Sequence, residues 1–211
     1  MLSKLCLVST MVAAIPMLMS QHAQAAACAT TDLSLTIGAT TYNPTTCANG
    51  VSNGNPTQET NNLNTALGTS FSLLDKTGTT GTAFDGILFT VADSGGKSGT
   101  WTLGWTDTNG TAPLNLPIIM NLDVGLFGGN VGDGYLFDNV LLPIVPDTGS
   151  GTFAITFVNN GKQHPDISHL TLTGGDPRKQ TPDPTPAPEP TSMLLFGTGM
   201  LGLGLIRRRR S

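Results

Sequence analysis

Charge, aromatic side chains and histidine are all scarce in this 211-residue chain. Charged residues make up 11% of it, against roughly 25% in ordinary soluble domains. Two of its three histidines, His164 and His169, lie outside the N-terminal segment. They are the only candidate bases there for a Ser or Cys nucleophile, and no G-x-S-x-G, H-E-x-x-H or C-x-x-C motif accompanies them. Both are interpreted as solvent-facing or hydrogen-bonded histidines, and the sequence gives no catalytic residue, metal ligand or cofactor site.

Positive charge is scarcest in the middle of the chain. Between the two terminal segments, five basic residues face all 14 acidic residues of the sequence: Lys76, Lys97, Lys162, Arg178 and Lys179. Nucleic acids need a basic surface for their phosphates, so they are excluded as partners. Thr, Ser, Asn and Gly take the place of charged residues, a composition typical of extracellular β-proteins.

Residues 1–25 are predicted to be a signal peptide. Lys4 supplies a positive charge, residues 5–19 an apolar run, and Ala23 and Ala25 a small-x-small cleavage site. Cleavage after Ala27 is a second option. Cys28 raises a lipoprotein alternative, although the usual lipobox leucine is missing. The sequence therefore predicts export.

The C-terminus has three parts in a fixed order. Residues 176–190 are rich in proline and are predicted to form an extended linker, because proline supports neither a helix nor a sheet ladder. Residues 191–206 are apolar and are predicted to form a short transmembrane helix, about 24 Å long at the α-helical rise. The positive-inside rule places the basic end in the cytoplasm. Residues 207–211 supply this basic end through Arg207, Arg208, Arg209 and Arg210.

A resemblance rests on this order of segments. Pro188, Glu189 and Pro190 are followed at once by the Gly-rich apolar run and the arginine cluster. Residues 187–211 therefore resemble the PEP-CTERM sorting signal of exopolysaccharide-associated Gram-negative bacteria. The resemblance implies an exosortase, a membrane transpeptidase, as partner, with processing near the Pro-Glu-Pro motif. An ordinary single-pass anchor is the alternative.

Residues 26–175 are predicted to form one all-β domain, an antiparallel β-sandwich or jelly roll. Runs rich in β-branched and aromatic residues alternate with Gly, Asn, Asp and Pro clusters, and their period-two pattern indicates two packed sheets. A short helix near Glu59–Leu67 is the one helical candidate. The predicted strands are Leu33–Gly38, Thr69–Leu74, Gly86–Ala92, Gly99–Thr106, Pro117–Phe127, Gly134–Leu142, Gly151–Val158 and Ile167–Thr173.

Cys28 and Cys47 are the two cysteines left once Cys6 departs with the signal peptide. In an oxidising compartment such a pair predicts a disulfide. Two free thiols or a metal pair are the alternatives. Closing a loop of about 20 residues contributes on the order of 3 kcal/mol to stability.

Two sets of side chains have competing interpretations. Asp123, Asp133 and Asp138 could converge on a calcium ion beside a glycine-rich stretch, although turn-forming and solvation roles explain them more simply. The aromatic residues could form a sugar-stacking platform, but their alternation favours the core. This second set consists of Trp101, Trp105 and Tyr135.

These features predict an exported, non-enzymatic protein with no cofactor. It is expected to be anchored in the inner membrane, processed by an exosortase, and then located at the cell surface or in the exopolysaccharide matrix in a structural or interaction role. A polysaccharide-binding module is the alternative function. A secreted hydrolase is the third, and its two carboxylates would have to come from aspartates, because Glu59 is the only glutamate before the tail.

Overall fold

The computed structural model describes residues 27–110 and 114–180. The predicted signal peptide, transmembrane helix, Pro-Glu-Pro motif and arginine cluster lie outside these residues. Within them, the chain forms eleven strands and one helix. In chain order these are β1 (Leu35–Ile37), β2 (Thr40–Tyr42), β3 (Thr46–Ser52), α1 (Pro56–Leu67), β4 (Ser72–Lys76), β5 (Ala83–Phe84), β6 (Ile87–Asp93), β7 (Ser98–Asp107), β8 (Ile118–Gly128), β9 (Val131–Leu142), β10 (Thr148–Ala154) and β11 (His169–Lys179).

The strands form two antiparallel sheets. Sheet A has six strands in the order β2-β1-β10-β7-β6-β5, and sheet B has five in the order β3-β9-β8-β11-β4. The inner faces of both sheets contribute to one hydrophobic core. The predicted all-β class and antiparallel pairing are therefore confirmed.

The core follows from the period-two alternation of the strands. In β7, Trp101, Leu103 and Trp105 are at most 1% exposed, while the threonines on the opposite face of the strand are exposed to solvent. The indole N–H of Trp101 donates to the Ser34 carbonyl oxygen, and that of Trp105 to the Pro143 carbonyl oxygen, each over 2.8 Å. Both polar atoms of these large buried side chains are thus satisfied.

Helix α1 begins with a complete capping box. The Asn55 side chain accepts from the Gln58 backbone N–H, the Gln58 side chain accepts from the Asn55 backbone N–H, and Pro56 occupies the first turn. The helix ends at Gly68, whose φ of 73° is readily adopted only by glycine. The sequence therefore defines both ends of the helix locally.

Helix α1 covers part of the outer face of sheet B. Leu63 packs there against Val51 and Phe127 in a second, smaller hydrophobic cluster. There is no room for a side chain at Gly134 beneath the helix, because an added Cβ atom would lie 2.9 Å from the Leu63 side chain. Glycine in β9 thus allows the close approach of helix and sheet.

The structure adds elements to the predicted set. All eight predicted strands have counterparts, but β2, β3 and β5 were not predicted. They are short or poor in apolar residues, so they lack a period-two signal. The helix starts at Pro56, earlier than the predicted segment, because the capping residues precede the apolar positions.

Strand β11 runs beyond the predicted domain boundary at residue 175 and ends at Lys179. Pro177 lies where the register with β8 shifts, between Gly175 and Arg178. Proline is tolerated at such a bulge because no ladder hydrogen bond is required of it there. The first residues of the predicted linker therefore belong to sheet B.

The two ends of the sandwich carry opposite ends of the chain. Lys179, the last residue of β11, pairs with Ile118 at the start of β8, which pairs with Leu142 at the end of β9. This end, where the chain leaves toward the tail, is called the exit end. Asp32 lies at the other end, where its carbonyl oxygen accepts from the Ala154 backbone N–H.

The predicted disulfide joins Cys28 to Cys47, with the Cα atoms 6.1 Å apart. Cys47 pairs with Tyr135 in the β3–β9 ladder. The bridge therefore attaches the segment before β1 to the edge strand of sheet B.

Candidate functional site

A buried carboxylate, Glu59, joins helix α1 to sheet B. Its side chain is 0% exposed, and both carboxylate oxygens lie 3.0 Å from the Lys76 ammonium group. Thr171 donates its hydroxyl to Oε2 over 2.6 Å, and His169 Nε2 lies 3.0 Å from Oε1. The backbone N–H of Gly54 donates over 3.2 Å. We call Glu59, Lys76, His169 and Thr171 the Glu59 cluster.

The electrostatics of the Glu59 cluster favour the ionised carboxylate. Burial by itself would raise the pKa of Glu59, but hydrogen bonds from Thr171, Lys76 and Gly54, together with the charge of His169, hold the pKa below its ordinary value. Burial lowers the pKa of His169 and outweighs the attraction of Glu59. At neutral pH the cluster therefore consists of an ionised carboxylate, an ammonium group and a neutral imidazole.

Ser168, His169 and Glu59 form a chain of hydrogen bonds. A neutral imidazole with its proton on Nε2 donates to Glu59 and leaves Nδ1, 3.0 Å from the Ser168 hydroxyl, as an acceptor. The Ser168 hydroxyl also lies 2.9 Å from the carbonyl oxygen of Phe127, which competes for its single proton. The His169 ring stacks on Phe127, with centroids 5.0 Å apart.

This chain contains the residue types of a hydrolase triad but differs from one in its contacts. Catalysis requires a serine whose proton is directed at the base and a base oriented by a carboxylate. Here the carboxylate is bound chiefly to a lysine, and the serine hydroxyl is shared with a backbone carbonyl. These contacts instead hold the start of α1 against β4 and β11. We therefore interpret the Glu59 cluster as stabilising the fold.

His164 lies apart from this cluster. It is exposed, and its Nδ1 lies 3.0 Å from the carbonyl oxygen of Phe157. Both histidines of the described chain thus have hydrogen-bond partners, and the two are not brought together.

An open pocket of about 260 Å³ lies beside the C-terminal end of α1. Asp123, which is 0% exposed, contacts one of the lining residues, because its Oδ2 accepts from the Thr69 hydroxyl over 2.7 Å. Its other oxygen, Oδ1, has no hydrogen-bond partner. Burial and the nearby charge of Asp138 raise the pKa of Asp123 to about 7. The pocket is lined by Gly68, Thr69, Ser70, Phe71, Asn121, Leu136, Asp138, Gly175 and Asp176.

The three aspartates of the calcium hypothesis do not converge. Asp123 and Asp138 lie on the outer face of sheet B, whereas Asp133 alternates with them and faces the sandwich interior. There its Oδ1 accepts from the Gly50 backbone N–H over 3.2 Å, and burial raises its pKa to about 6. Within residues 27–110 and 114–180, no three His, Cys, Asp or Glu side chains are placed to hold a metal ion. The convergence considered as the calcium alternative is therefore not found among these residues.

The aromatic side chains considered for sugar stacking belong to the core. Trp101 and Tyr135 are 0% exposed and Trp105 is 1% exposed. A stacking platform needs an exposed ring face, so these three residues cannot provide one.

The outer face of sheet A is covered with hydroxyl groups. Thr36 pairs with Ser150, and Ser150 pairs with Thr102, so a row of hydroxyls crosses β1, β10 and β7. The outward residues of these three strands include no charged side chain. The hydroxyl face is defined by Ser34, Thr36, Thr100, Thr102, Ser150 and Thr152.

A family model decides the nature of the tail that follows Lys179. The model of the PEP-CTERM protein-sorting motif matches residues 186–210. The chain carries a PEP-CTERM sorting motif. A search of the curated proteins and of the solved structures found no match.

The PEP-CTERM motif indicates exosortase-dependent sorting of a secreted or cell-surface protein. The match includes Pro188, Glu189, Pro190 and the arginines through Arg210, so the predicted resemblance is confirmed. In the described part of the chain, no helix is long and apolar enough to cross a membrane. The transmembrane helix predicted at 191–206 and the cleavage site at Ala23 and Ala25 lie outside that part.

Sequence reasoning missed the Glu59 cluster and the hydroxyl face. A signal for the first was present, because Asn55 and Gln58 form a capping box that places Glu59 in the first turn of a helix. The partners of Glu59 come from strands 17 and 110 residues away, and no local pattern identifies them.

Proposed function

We propose that this chain is an exported structural or interaction protein of the cell surface or exopolysaccharide matrix. It is anchored in the inner membrane through residues 191–206, and an exosortase processes it near Pro188, Glu189 and Pro190. The observation that carries this proposal is the PEP-CTERM motif at residues 186–210. The order of spacer, apolar run and basic end supports a helix whose arginines remain in the cytoplasm.

The exposed surface of the domain supports an interaction role. The hydroxyl face is broad and largely exposed. The domain therefore offers a surface for contact with a polymer or with other proteins.

Mass spectrometry of the protein from wild-type and exosortase-deleted cells tests the proposed processing. We expect the wild-type product to lack residues 1–25 and the segment after the Pro-Glu-Pro motif, and the product from deleted cells to retain the C-terminal segment. Replacing Pro188, Glu189 and Pro190 with alanine should block processing in wild-type cells. An intact chain ending in arginines in wild-type cells would reduce the tail to an ordinary anchor.

The chain itself offers a matched control for this experiment. Pro182-Asp183-Pro184 has the same proline-acid-proline pattern but lies before the matched residues 186–210. Alanine at these three positions removes an equal amount of polyproline structure and charge. Processing should continue in this control, which separates recognition of the motif from a general effect on the spacer.

A second candidate function is polysaccharide binding, and the hydroxyl face favours it. Uncharged hydroxyl groups can donate to and accept from sugar hydroxyls. Thr102 is exposed near the centre of this face and pairs with Ser150. The sheet would therefore bind a neutral polymer by hydrogen bonding, without aromatic stacking.

Replacing Thr102 with glutamate is expected to reduce binding to the cells' own exopolysaccharide at least about tenfold. Bound polymer would cover the new charge, and several hydrogen bonds of roughly 1 kcal/mol each would be disturbed. Co-sedimentation of the mature protein with purified polymer measures the effect. Thr65→Glu, on the exposed side of α1, is the control. Equal binding by both variants, or none by the wild type at millimolar sugar, would argue against this function.

A further inference from the structure

The 143–147 loop connects β9 to β10 at the exit end. It follows Leu142, which pairs with Ile118, and Ile118 in turn pairs with Lys179, the last residue of β11. One strand thus separates the start of the loop from the point where the chain leaves the sheet. At the spacing of neighbouring strands, this distance is about 10 Å.

This loop exposes two large aliphatic side chains. Ile144 is 49% exposed and Val145 is 82% exposed, and among the described residues they are the large hydrophobic side chains with high exposure. At the opposite end, the connection from β10 to β11 presents Asn159, Asn160 and Lys162 instead. The apolar exposure of the sandwich is therefore concentrated at the exit end.

The loop is held at both of its ends. The Trp105 side chain donates to the Pro143 carbonyl oxygen over 2.8 Å, and the Trp105 backbone N–H donates to the Asp147 carbonyl oxygen over 3.0 Å. Pro146 packs near Gly38 in the β1–β2 turn. These contacts leave Ile144 and Val145 projecting from a fixed base.

We infer that Ile144 and Val145 contact the lipid bilayer in which the tail is anchored. This inference rests on the proposed membrane-anchored precursor. Only residues 180–190 separate β11 from the apolar run that begins at residue 191, and such a spacer extends at most about 34 Å in a polyproline conformation. The domain is thus confined close to the bilayer, with its apolar loop on the tethered side.

The short linker to the membrane anchor allows even this small apolar surface to contact the bilayer. Two aliphatic side chains bind a membrane only weakly by themselves, but a short linker converts their contact into an intramolecular event at an effective concentration in the millimolar range. The exit end has no basic excess, because its charged residues are Asp85, Asp107, Asp147, Asp176, Arg178 and Lys179. The contact is therefore apolar and does not require anionic lipid.

A fluorescent label beside the loop tests this inference in the full chain. In a chain that also carries Cys6→Ser, Asp147→Cys places an environment-sensitive fluorophore next to the intact Ile144 and Val145. Cys28 and Cys47 are unavailable for labelling because they form a disulfide. The chain is reconstituted into vesicles of phosphatidylethanolamine with and without phosphatidylglycerol. We expect blue-shifted emission and quenching by lipid-attached nitroxides in both vesicle types.

Two controls make the result specific. The same label at Asn160→Cys, at the opposite end, should show neither the shift nor the quenching. Adding Ile144→Ser and Val145→Ser to the Asp147→Cys chain should abolish both signals while the chain still floats with the vesicles. Equal accessibility at residues 147 and 160 in floating chains would overturn the inference and leave the anchor intact.

Other outcomes are equally decisive. If the chain fails to float with the vesicles, the proposed anchor is wrong, and the loop contact falls with it. If the label at residue 147 is shielded only in membranes that contain the exosortase, the loop contacts the enzyme, and contact with lipid is refuted.

Discussion

Replacing Glu59 with alanine is expected to lower the free energy of unfolding by roughly 3 kcal/mol, because it leaves a largely buried lysine without its counter-charge. Lys76 is 15% exposed and has both Glu59 oxygens within 3.0 Å. The hydroxyl of Thr171 and the ring of His169 lose the same partner. Urea denaturation of the exported chain with its disulfide intact measures the loss.

Companion variants separate charge from shape. Glu59→Gln keeps the volume and an acceptor for Thr171 but removes the charge, so its loss should be smaller than that of the alanine variant. Lys76→Met removes the other charge, and the double variant Glu59→Gln/Lys76→Met should be more stable than the sum of the single losses predicts. Simple additivity would show that the two groups are not coupled and that the cluster is not held by its ion pair.

Raising the pH from 4 to 8 is expected to destabilise the wild type through Asp123, and Asp123→Asn should remove this effect. The folded-state pKa of Asp123 is raised from 3.8 to about 7, chiefly by burial. The folded protein therefore binds this proton more tightly than the unfolded chain does. The stability it contributes is complete below the unfolded pKa and is lost as the pH rises through the folded pKa.

The size of the effect follows from the shift. Each pKa unit corresponds to about 1.4 kcal/mol, so Asp123→Asn should be more stable than the wild type by roughly 4 kcal/mol at pH 8, relative to their difference at pH 4. Glu59 and His169 have lowered pKa values and titrate in the opposite sense, but they are common to both proteins and cancel in the comparison. If the stability difference between Asp123→Asn and the wild type stayed constant with pH, the assignment of the pH dependence to Asp123 would be wrong.

Asp138→Asn provides a control on the same face of sheet B. Asp138 is partly exposed and contributes to the pKa of Asp123 only through its charge. Removing that charge should lower the pKa of Asp123 slightly and leave most of the pH dependence in place. If Asp138→Asn removed as much of the pH dependence as Asp123→Asn does, Asp138 would be the group responsible for it.

Alternation predicted the core strands well because β7, β8 and β10 each have one face in the interior. Trp101, Leu103 and Trp105 are buried as their spacing indicates. Applied to β8, the same alternation places Asp123 on the outer face, where the structure has it. It also implied solvent exposure, which is wrong, because helix α1 and the segment after it cover that face.

The candidate sites were harder to predict for a related reason. The tail motif is continuous in sequence and could be identified from its residues alone, as could the pairing of Cys28 with Cys47. The Glu59 cluster combines residues of α1, β4 and β11, so its existence depends on the strand order of sheet B. That order is set by tertiary packing, which no local pattern encodes.

The placement of Cys28 and Lys179 has a consequence for the proposed maturation. The disulfide holds Cys28, next to the predicted signal cleavage site, at Cys47 opposite Tyr135 in β9, whereas an exosortase would cut beyond Lys179 at the exit end. From Tyr135 to Leu142, at about 3.3 Å per residue, this separation is on the order of 20 Å along the strand. Neither protease would obstruct the other, and neither would need to pull a strand out of its sheet. The folded body can therefore pass through both trimming steps unchanged, in whichever order they occur.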